Sequence, residues 1–343
     1  MRSIRPRPSE SGFTVVELLV ASAMVVAMAG AMIELARGAQ AASASVSSLA
    51  DTQQKMRIAA EAIQHDLSMA GAGSVLPSGG GPLAQFAPAV RPAAGVAGDS
   101  DVTFAADRAT ILYMPATSAE ADVVSVTPVA MSIGGTPACT RSVTCGFQDG
   151  MRAIVFDRSA PGRGYDVFTV ADASAGSLTR EADEGSFSTA STPTAHVAEV
   201  VAHRYYLDRS DASNVRLMRG DGRSAFALVD GVRDLRLTYY ADPDPSSAPA
   251  IGAASGTCVY AAGPPPTPLL VPLGGVSLSE LSAADLTDGP FCGNAPNRFD
   301  ADLLRVRRVR VALQIVAVSS ASRQPSTFEV SFDVTPHNLN VAR

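Results

Sequence analysis

The sequence predicts an α+β protein in which one long N-terminal α-helix spans a membrane in its first part and packs on a β-rich, mainly antiparallel head. The first observation is that no Pro lies between Pro8 and Pro77, although the 343 residues include 23 Pro and 28 Gly. Because Pro interrupts helices, this stretch can form a single long helix. The second observation is that short apolar runs separated by turn residues follow, a pattern typical of strands joined by hairpins.

Composition narrows the classes of protein to which the chain can belong. A hydrophobic content of 46% over 343 residues is enough for a buried core, so wholesale disorder is excluded, and the length allows two modules. The chain has 27 basic and 33 acidic residues, giving a net charge of -6, and Lys55 is its one lysine. This balance provides no positive field for nucleic acid, so no nucleic-acid partner is expected.

Residues 1–12 form a basic leader with three arginines, and an apolar run follows directly from Phe13 to Ile33. At 1.5 Å per residue this run spans about 30 Å, the thickness of the hydrocarbon core of a bilayer. The arginines on its N-terminal flank predict that the N-terminus is cytoplasmic and that the head lies across the membrane. The run contains one charge, Glu17, which is costly in lipid and which a plain anchor or secretory signal does not need.

Two simpler interpretations of this segment stay open. Ala27-Met28-Ala29 matches the small-residue site at which secretory signals are cleaved, but the apolar run is longer than the roughly 7 to 15 residues of such signals. Alternatively, the segment is an ordinary membrane anchor whose Glu17 lies at the level of the lipid headgroups, where a carboxylate is tolerated.

The segment Gly12-Phe13-Thr14-Val15-Val16-Glu17, with an apolar helix after it, resembles the processing site of type IV prepilins and of the pseudopilins of type II secretion systems. The resemblance implies that prepilin peptidase cleaves between Gly12 and Phe13 and that the new N-terminus on Phe13 is methylated. It also implies that the Glu17 carboxylate pairs with the Phe13 amine of a neighbouring subunit, so that two costly charges neutralise each other in a filament. The implied partners are the peptidase, the inner membrane, and other major and minor pilins that pack through the N-terminal helix.

Parts of the head are similar to minor pilins of the PilW type and to their J-type pseudopilin relatives. The similarity lies in tracts at Met56–Gly71, Tyr205–Leu207, Leu228–Val232 and Leu235–Tyr240. It implies a pilin-like fold and a non-enzymatic minor pilin that acts in assembly or initiation of a type IV pilus. Such a protein is a single-pass inner-membrane protein with a periplasmic head, and after assembly it resides in the pilus at the cell surface.

Two other functions stay open. Within the same family, the alternative is a J-type minor pseudopilin of a type II secretion system. From another class, the alternative is a membrane-anchored periplasmic enzyme or adhesin, which would keep its first twelve residues.

The helix is expected to run unbroken from Phe13 to about Ala70. Small or apolar residues recur every three or four positions from Leu35 to Leu67 and form a stripe along one face. A head that covers its own first helix explains this stripe most simply, although a coiled coil with a partner could use the same face. Residues 71–100 follow as a Gly/Pro-rich connecting loop without regular structure.

Residues 101–343 form the β-rich head, with a Pro-rich insert at 241–300 that makes it larger than a compact pseudopilin. Two late segments alternate between apolar and polar residues, which predicts strands with one solvated face. The short connections favour antiparallel hairpins over βαβ units. The predicted strands are Ala109–Met114, Ala121–Met131, Met151–Asp157, Tyr165–Val170, His196–Leu207, Asp234–Tyr240, Val309–Ile315 and Phe328–Val334.

The chain has four cysteines, and an even number outside the cytoplasm predicts disulfides. Three pairings are possible. The preferred one joins Cys139 to Cys145 and Cys258 to Cys292, because each bond then closes a loop that lacks a core of its own. Zinc is the rival interpretation, although no C-x-x-C pair and no His at ligand spacing accompanies these residues.

The sequence contains no motif of the common hydrolases, metalloproteases or phosphate-binding loops, so neither enzymatic activity nor a cofactor is expected. The four histidines, at positions 65, 196, 203 and 337, form no local motif. Calcium is a minor option, with oxygen donors from Asp208, Asp211 and Asn214 or from Asp242 and Asp244. A basic run that predicts a strand with a solvated Arg face, but that could also touch DNA or acidic lipid, comprises Arg305, Arg307, Arg308 and Arg310.

Overall fold

A computed structural model describes most of the chain, and the contacts between its residues divide it into two units. The first unit contains residues 1–53 and 317–326, and the second contains residues 54–316 and 327–343. The described residues are 12, 14–73, 83, 87–92, 104–115, 119–158, 165–187, 194–241, 278–287, 289, 291–292, 297–318 and 325–336.

The elements confirm an α+β chain with one long N-terminal helix, α1 (Val15–Met69), and a β-rich antiparallel part. A short helix, α2 (Pro137–Arg141), lies among the strands. In chain order the strands are β1 (Val90–Arg91), β2 (Arg108–Tyr113), β3 (Glu120–Val126), β4 (Ala130–Gly134), β5 (Arg152–Asp157), β6 (Tyr165–Ser174), β7 (Ser177–Arg180), β8 (Ala195–Glu199), β9 (Val201–Asp208), β10 (Arg216–Gly220), β11 (Ala225–Asp230), β12 (Val232–Ala241), β13 (Ser279–Leu281), β14 (Phe291–Cys292), β15 (Phe299–Asp300), β16 (Val306–Val318) and β17 (Pro325–Val334).

In the first unit, α1 presents an apolar surface to the outside. Its large apolar side chains are exposed, as shown by Leu18 at 64% and Val26 at 71%. By length and composition this helix can cross a membrane, which is compatible with a single-pass anchor. The predicted stripe is exposed at Leu35, Val46 and Leu49 as well.

In the second unit, the last turns of α1 form one wall of the main core. Ala59, Ile63 and Leu67 are at most 1% exposed and follow each other at intervals of four residues, as one helix face requires. The predicted stripe ended with Met56, Ala60, Ile63 and Leu67, so its last two positions are confirmed as buried, while Ala59 is fully buried in place of the predicted Ala60. The intramolecular core therefore accounts for the stripe from Ala59 onward.

Two antiparallel sheets supply the other walls of this core. The first has the strand order β1-β2-β9-β10-β11, and the second has the order β13-β12-β16-β17. Buried residues at alternate positions of β16, namely Val309, Val311 and Leu313, are paired across the register with Tyr239, Leu237 and Leu235 of β12. The predicted alternation of this late strand is thus confirmed, with its apolar face inside.

Strands β3 to β8 form a closed six-stranded barrel, which the sequence analysis did not predict. The order around the barrel is β3-β4-β7-β6-β5-β8, and its core is distinct from the main one and contains Val155, Phe168, Leu178 and Val197. The β6–β7 connection is a two-residue turn, and both of its residues have positive φ, as type I′ hairpins require. Closure leaves the barrel without free strand edges.

Two predicted strands are each divided in two. Ala121–Met131 is the hairpin of β3 and β4, because the chain turns between Val126 and Ala130. His196–Leu207 is β8 and β9, which separate at Val200, where the chain passes from the barrel to the first sheet. In the first run Thr127 and Pro128 lie at the turn, whereas in the second run neither Gly nor Pro marks the change of partner strand at Val200.

Residues 71–100 were expected to lack regular structure, and this expectation is wrong at β1. Val90 and Arg91 pair with Ile111 and Thr110 of β2, and both are buried. Arg91 tolerates burial because its guanidinium donates to the Tyr165 hydroxyl at 3.1 Å. This strand is only two residues long and is flanked by Pro88 and Pro92, so its alternation is too short to be recognised in the sequence.

The insert at 241–300 also contributes to the fold at its C-terminal end. Strands β13, β14 and β15 lie in this range, and Leu281, Leu286 and Phe299 belong to the main core. Asp300 is 0% exposed, and its carboxylate accepts hydrogen bonds from the amides of Gly289 and Asp302. The remainder of the insert, residues 242–277, 288, 290 and 293–296, lies outside the described residues.

Cys139 and Cys145 form a disulfide, which is the pairing that the sequence analysis preferred. Cys145 is 0% exposed and packs with Phe147 in the barrel core, so the bond fixes the segment after α2 to one end of the barrel. Because both thiols are oxidised, they do not fit the rival zinc interpretation. Cys258 and the side chain of Cys292 lie outside the described residues, and their pairing stays a prediction.

We expect the double substitution Cys139→Ser, Cys145→Ser to lower the free energy of unfolding by about 2 kcal/mol, because the reduced loop regains entropy in the unfolded chain. Urea unfolding of the detergent-solubilised chain, followed by circular dichroism, measures this change. Thr140→Ser, in the same loop, is the control and should leave the midpoint unchanged. An unchanged midpoint in the double variant would contradict a structural role for the bond.

Candidate functional site

The candidate processing site lies immediately before the long helix. Gly12 is exposed and outside regular secondary structure, and α1 begins at Val15, two residues later than predicted. Phe13 lies outside the described residues. Among the described residues, the hydrogen bonds at the start of the helix begin at Thr14.

Thr14 and Glu17 form a capping box that explains why the helix begins at Val15. The Thr14 amide and hydroxyl both donate to Oε2 of Glu17 at 3.0 Å, and the Glu17 amide donates to the Thr14 hydroxyl at 3.3 Å. This reciprocal pattern satisfies amides that have no partner within the helix. Thr14 was not recognised from the sequence as a functional residue, although Thr-x-x-Glu before an apolar run is a known signal for a helix start.

The capping box gives Glu17 a role within its own chain. The sequence analysis argued that a plain anchor does not need this carboxylate, and the structure corrects that argument, because the carboxylate caps the helix that contains it. Its negative charge also lies at the positive end of the helix dipole. The Glu17 carboxylate thus has donors before any neighbour is present.

A buried ionic cluster in the second unit ties α1 to the first sheet. Asp66 is 0% exposed, and three side chains contact its carboxylate. The Tyr205 hydroxyl donates to it at 2.5 Å, and Arg219 binds it with two nitrogens at 3.0 and 3.1 Å. Nδ1 of His203 lies 2.9 Å from Oδ2. We call Asp66, His203, Tyr205 and Arg219 the helix clamp.

The helix clamp keeps Asp66 ionised in the interior. Burial by itself would raise the pKa of Asp66, but hydrogen bonds from His203 and Tyr205 and the charge of Arg219 together hold the pKa of this carboxyl below its usual value. Burial and the nearby carboxylate raise the pKa of Tyr205 well above its usual value, so Tyr205 stays a donor. Sequence patterning missed the clamp because its members come from three distant segments.

The residues considered for calcium are already occupied by hydrogen bonds. Asp208 accepts from Arg216 at 2.6 Å, Asp211 accepts from the Ser213 hydroxyl at 2.6 Å, and Asn214 accepts from the Gly231 amide. Among the described residues, no group of three or more His, Cys, Asp or Glu is placed to hold a metal ion. Asp242 and Asp244 lie outside that part of the chain.

Carboxylates face the predicted basic run. Arg310 binds Asp333 through two nitrogens at 2.7 and 3.0 Å, and Arg305 donates to Asp302 at 2.6 Å. Arg308 lies 3.8 Å from Asp333 and stacks on Tyr240, and Arg307 also has a partner. The predicted Arg face is therefore confirmed only in part: Arg308 and Arg310 lie on one face of β16 with Asp333 as their counter-charge, whereas Arg305 ends the 3-10 helix that precedes this strand.

The fold places two of the four histidines in polar clusters. His203 belongs to the helix clamp. His196 is 1% exposed in the barrel, where its Nδ1 lies 3.1 Å from Asp122, which Arg158 also contacts at 2.8 Å. His65 is exposed, and His337 lies outside the described residues.

Comparisons with known proteins do not place the chain in a family. No family model matches it, and neither the curated proteins nor the solved structures contain a significant match. The function is therefore argued from the residues themselves.

We expect Asp66→Asn to lower the free energy of unfolding by about 3 kcal/mol, because the substitution leaves the largely buried Arg219 guanidinium without its counter-charge. Urea unfolding of the detergent-solubilised chain measures the loss. Glu61→Gln is the matched control, because Glu61 is on the same helix and pairs with Arg57 at 2.7 Å, but both side chains are exposed. The control should change stability by less than about 1 kcal/mol. Equal effects of the two substitutions would show that the clamp contributes no more than a surface pair.

The helix clamp should also make stability depend on acid pH. Because the pKa of Asp66 is lowered in the folded chain, its contribution is complete above the unfolded pKa of about 3.9 and is lost as the pH falls through the folded pKa. The difference in urea midpoint between wild type and Asp66→Asn should therefore be constant near neutral pH and shrink below about pH 4. A difference that is constant down to pH 2.5 would contradict this assignment.

Proposed function

We propose that this chain is a non-enzymatic subunit of a filament, a minor pilin that acts in assembly or initiation of a type IV pilus. It is inserted in the inner membrane by the first part of α1, with its head in the periplasm. Prepilin peptidase removes residues 1–12, the new N-terminus on Phe13 is methylated, and the processed helix packs with those of other pilins. The observation that carries this proposal is the Gly12 to Glu17 segment directly before an apolar helix.

The local structure supports processing at this point. The bond between Gly12 and Phe13 precedes the capping box, so cleavage leaves the hydrogen bonds between Thr14 and Glu17 in place. The Thr14 amide that donates to Glu17 also stays intact after cleavage. The product has a free amine on Phe13, four residues before Glu17. This amine lies at the start of the apolar helix that faces the lipid.

The geometry also suggests how Glu17 directs assembly. In the single chain its carboxylate is bonded to Thr14, which lowers the cost of carrying it at the membrane. In a filament, a neighbouring Phe13 ammonium offers a stronger, charge-assisted partner in the same low-dielectric surroundings. The Glu17 carboxylate would then exchange its hydrogen bonds with Thr14 for the ammonium of the neighbour. This exchange favours assembly of subunits that are aligned so that the amine and the carboxylate meet.

The apolar surface of α1 supports packing through this helix. Side chains from Val15 to Leu35 are mostly exposed in the chain, and the stripe continues to Leu49 beyond the length that a bilayer covers. Packing against other helices would remove the apolar side chains between Leu35 and Leu49 from water. A pseudopilin would use the same helix, and the large head with its barrel favours the pilus over the secretion system.

The proposal predicts a defined mature N-terminus. Mass analysis of the protein extracted from membranes of its native host should find a chain that begins at Phe13 with one added methyl group. Gly12→Leu should retain residues 1–12, because the peptidase no longer accepts the bond, while Gly30→Leu within the apolar run should be processed normally. Wild-type protein with its first twelve residues still attached would overturn the proposal and favour the anchored enzyme or adhesin.

Glu17 should be required for filament entry but not for membrane insertion. Glu17→Ala should reach the membrane and be absent from sheared pilus fractions, since no carboxylate remains to neutralise the neighbouring amine. Glu34→Gln is the matched control, because Glu34 lies on the same helix beyond the apolar run and its side chain is 76% exposed. Normal incorporation of Glu17→Ala would contradict the assembly role, and loss of protein secretion with intact pili would select the pseudopilin.

A further inference from the structure

His196 lies at the seam that closes the barrel. The seam joins β3 to β8 over three residue pairs only, and the pair at its end joins Asp122 to His196. Closure removes the free strand edges of the barrel, so this short seam holds the two ends of the sheet together. The His196 side chain is 1% exposed, so its ring is enclosed by the protein.

Two carboxylates of β3 face the two nitrogens of the His196 ring. Nδ1 lies 3.1 Å from Oδ1 of Asp122, which is hydrogen-bond distance, and Nε2 lies 3.8 Å from Oε2 of Glu120. The ring contacts Phe156 edge to face, with 5.7 Å between the ring centroids. The guanidinium of Arg158 contacts Oδ1 of Asp122 as well, at 2.8 Å.

Neither neutral form of His196 satisfies both ring nitrogens. Nε2 is buried and has no hydrogen-bond partner among the described residues. If the proton of the neutral ring is on Nδ1, it is donated to Asp122, but Nε2 is then a buried acceptor without a donor. If the proton is on Nε2, the lone pair of Nδ1 faces the Asp122 carboxylate. Only the doubly protonated ring has a donor toward each carboxylate.

We propose that His196 is a proton-binding site that stabilises the closed barrel, independently of the proposed function. When the second proton binds, Nε2 donates to Glu120 after a movement of roughly 1 Å, since charge-assisted bonds are about 2.8 Å long. The ring on β8 then bonds two carboxylates of β3 and strengthens the seam. When the proton leaves, Nε2 is again a buried group without a partner, and the seam weakens. The barrel therefore closes more tightly as the pH falls through the range in which histidine titrates.

The charged groups around the ring come from the strands of this seam and from Arg158, which follows β5. On β3, Asp122 and Glu120 attract a second proton to the ring, and the guanidinium of Arg158 opposes it. Because Arg158 is bound to the same oxygen of Asp122 as the ring, Glu120 is the carboxylate on which the proposed stabilisation depends. The other carboxylates of the three strands are Asp157 on β5 and Glu199 on β8.

Nitrogen NMR of the wild-type chain tests whether the site binds a proton in the folded protein. The chain has four histidines, so isotope labelling of histidine alone gives few signals, and His196→Gln identifies the signals of position 196. Between about pH 8 and about pH 5.5, the His196 ring should change from one protonated nitrogen to two while the barrel stays folded. A ring that keeps a single proton at about pH 5 overturns the proposal.

Hydrogen exchange tests whether this proton strengthens the seam. Protection factors, which correct for the intrinsic effect of pH on exchange, are measured for β3 and, as an internal reference, for β12 of the second sheet. The ratio of protection in β3 to that in β12 should be about tenfold higher at about pH 5.5 than at about pH 8, the factor that one hydrogen bond to a charged group provides. An equal ratio at the two pH values overturns the proposal.

A matched pair of substitutions identifies the group that is responsible. Glu120→Gln keeps the size of the side chain but removes its charge, so the effect of pH on the ratio should fall to about twofold or less. His65→Gln is the control, because His65 is an exposed histidine on α1, and it should retain the full effect. A full effect of pH in Glu120→Gln, or its loss in His65→Gln, overturns the role of the bond between His196 and Glu120. The comparison within the wild-type chain needs no substitution and is decisive by itself.

Discussion

One continuous helix must satisfy two different surroundings, and the rest of the structure depends on this constraint. The first part of α1 has an exposed apolar surface with few charges and is long enough to cross a membrane. The last turns form a wall of a protein core, where shape and polar partners must match. Because α1 is unbroken from Val15 to Met69, the chain passes from one part to the other without a loop.

The two carboxylates on this helix show how the constraint is met. Glu17 is placed at the end of the helix, where amides without helical partners can bond it. Asp66 is placed in the interior, where Arg219 and Tyr205 replace the water that it has lost. In both cases a costly charge is retained together with its own donors. Glu17 caps the start of α1, and Asp66 binds the last turns of α1 to the first sheet.

The long helix could be predicted from the sequence because its signals are local. Absence of Pro, an apolar run and recurring small residues all act within a few turns, and they indicate Val15–Met69 to within two residues. The start at Val15 was predictable in principle from Thr14 and Glu17, which lie three residues apart. Alternation likewise predicted β16 and β17, since each has one polar and one apolar face.

The helix clamp and the barrel could not be predicted in this way. Asp66 reaches Tyr205 and Arg219 across 139 and 153 positions, and nothing near Asp66 in the sequence indicates that it is buried. Barrel closure depends on β3 pairing with β8, where Asp122 lies opposite His196, 74 residues later. A run such as His196–Leu207 has the same apolar composition before and after Val200, so composition does not show that the chain leaves one sheet for another.

The position of the barrel in the chain has a consequence for how such a head can diversify. The chain leaves the first sheet after Tyr113 and returns at Val201, and these two residues are opposite each other on neighbouring strands. A short turn could join them without moving the host strands, and a module with closely spaced termini could be grafted there. The barrel is therefore an insertion at one position of the host sheet, and its replacement by another module with closely spaced ends would leave the strands on either side in place.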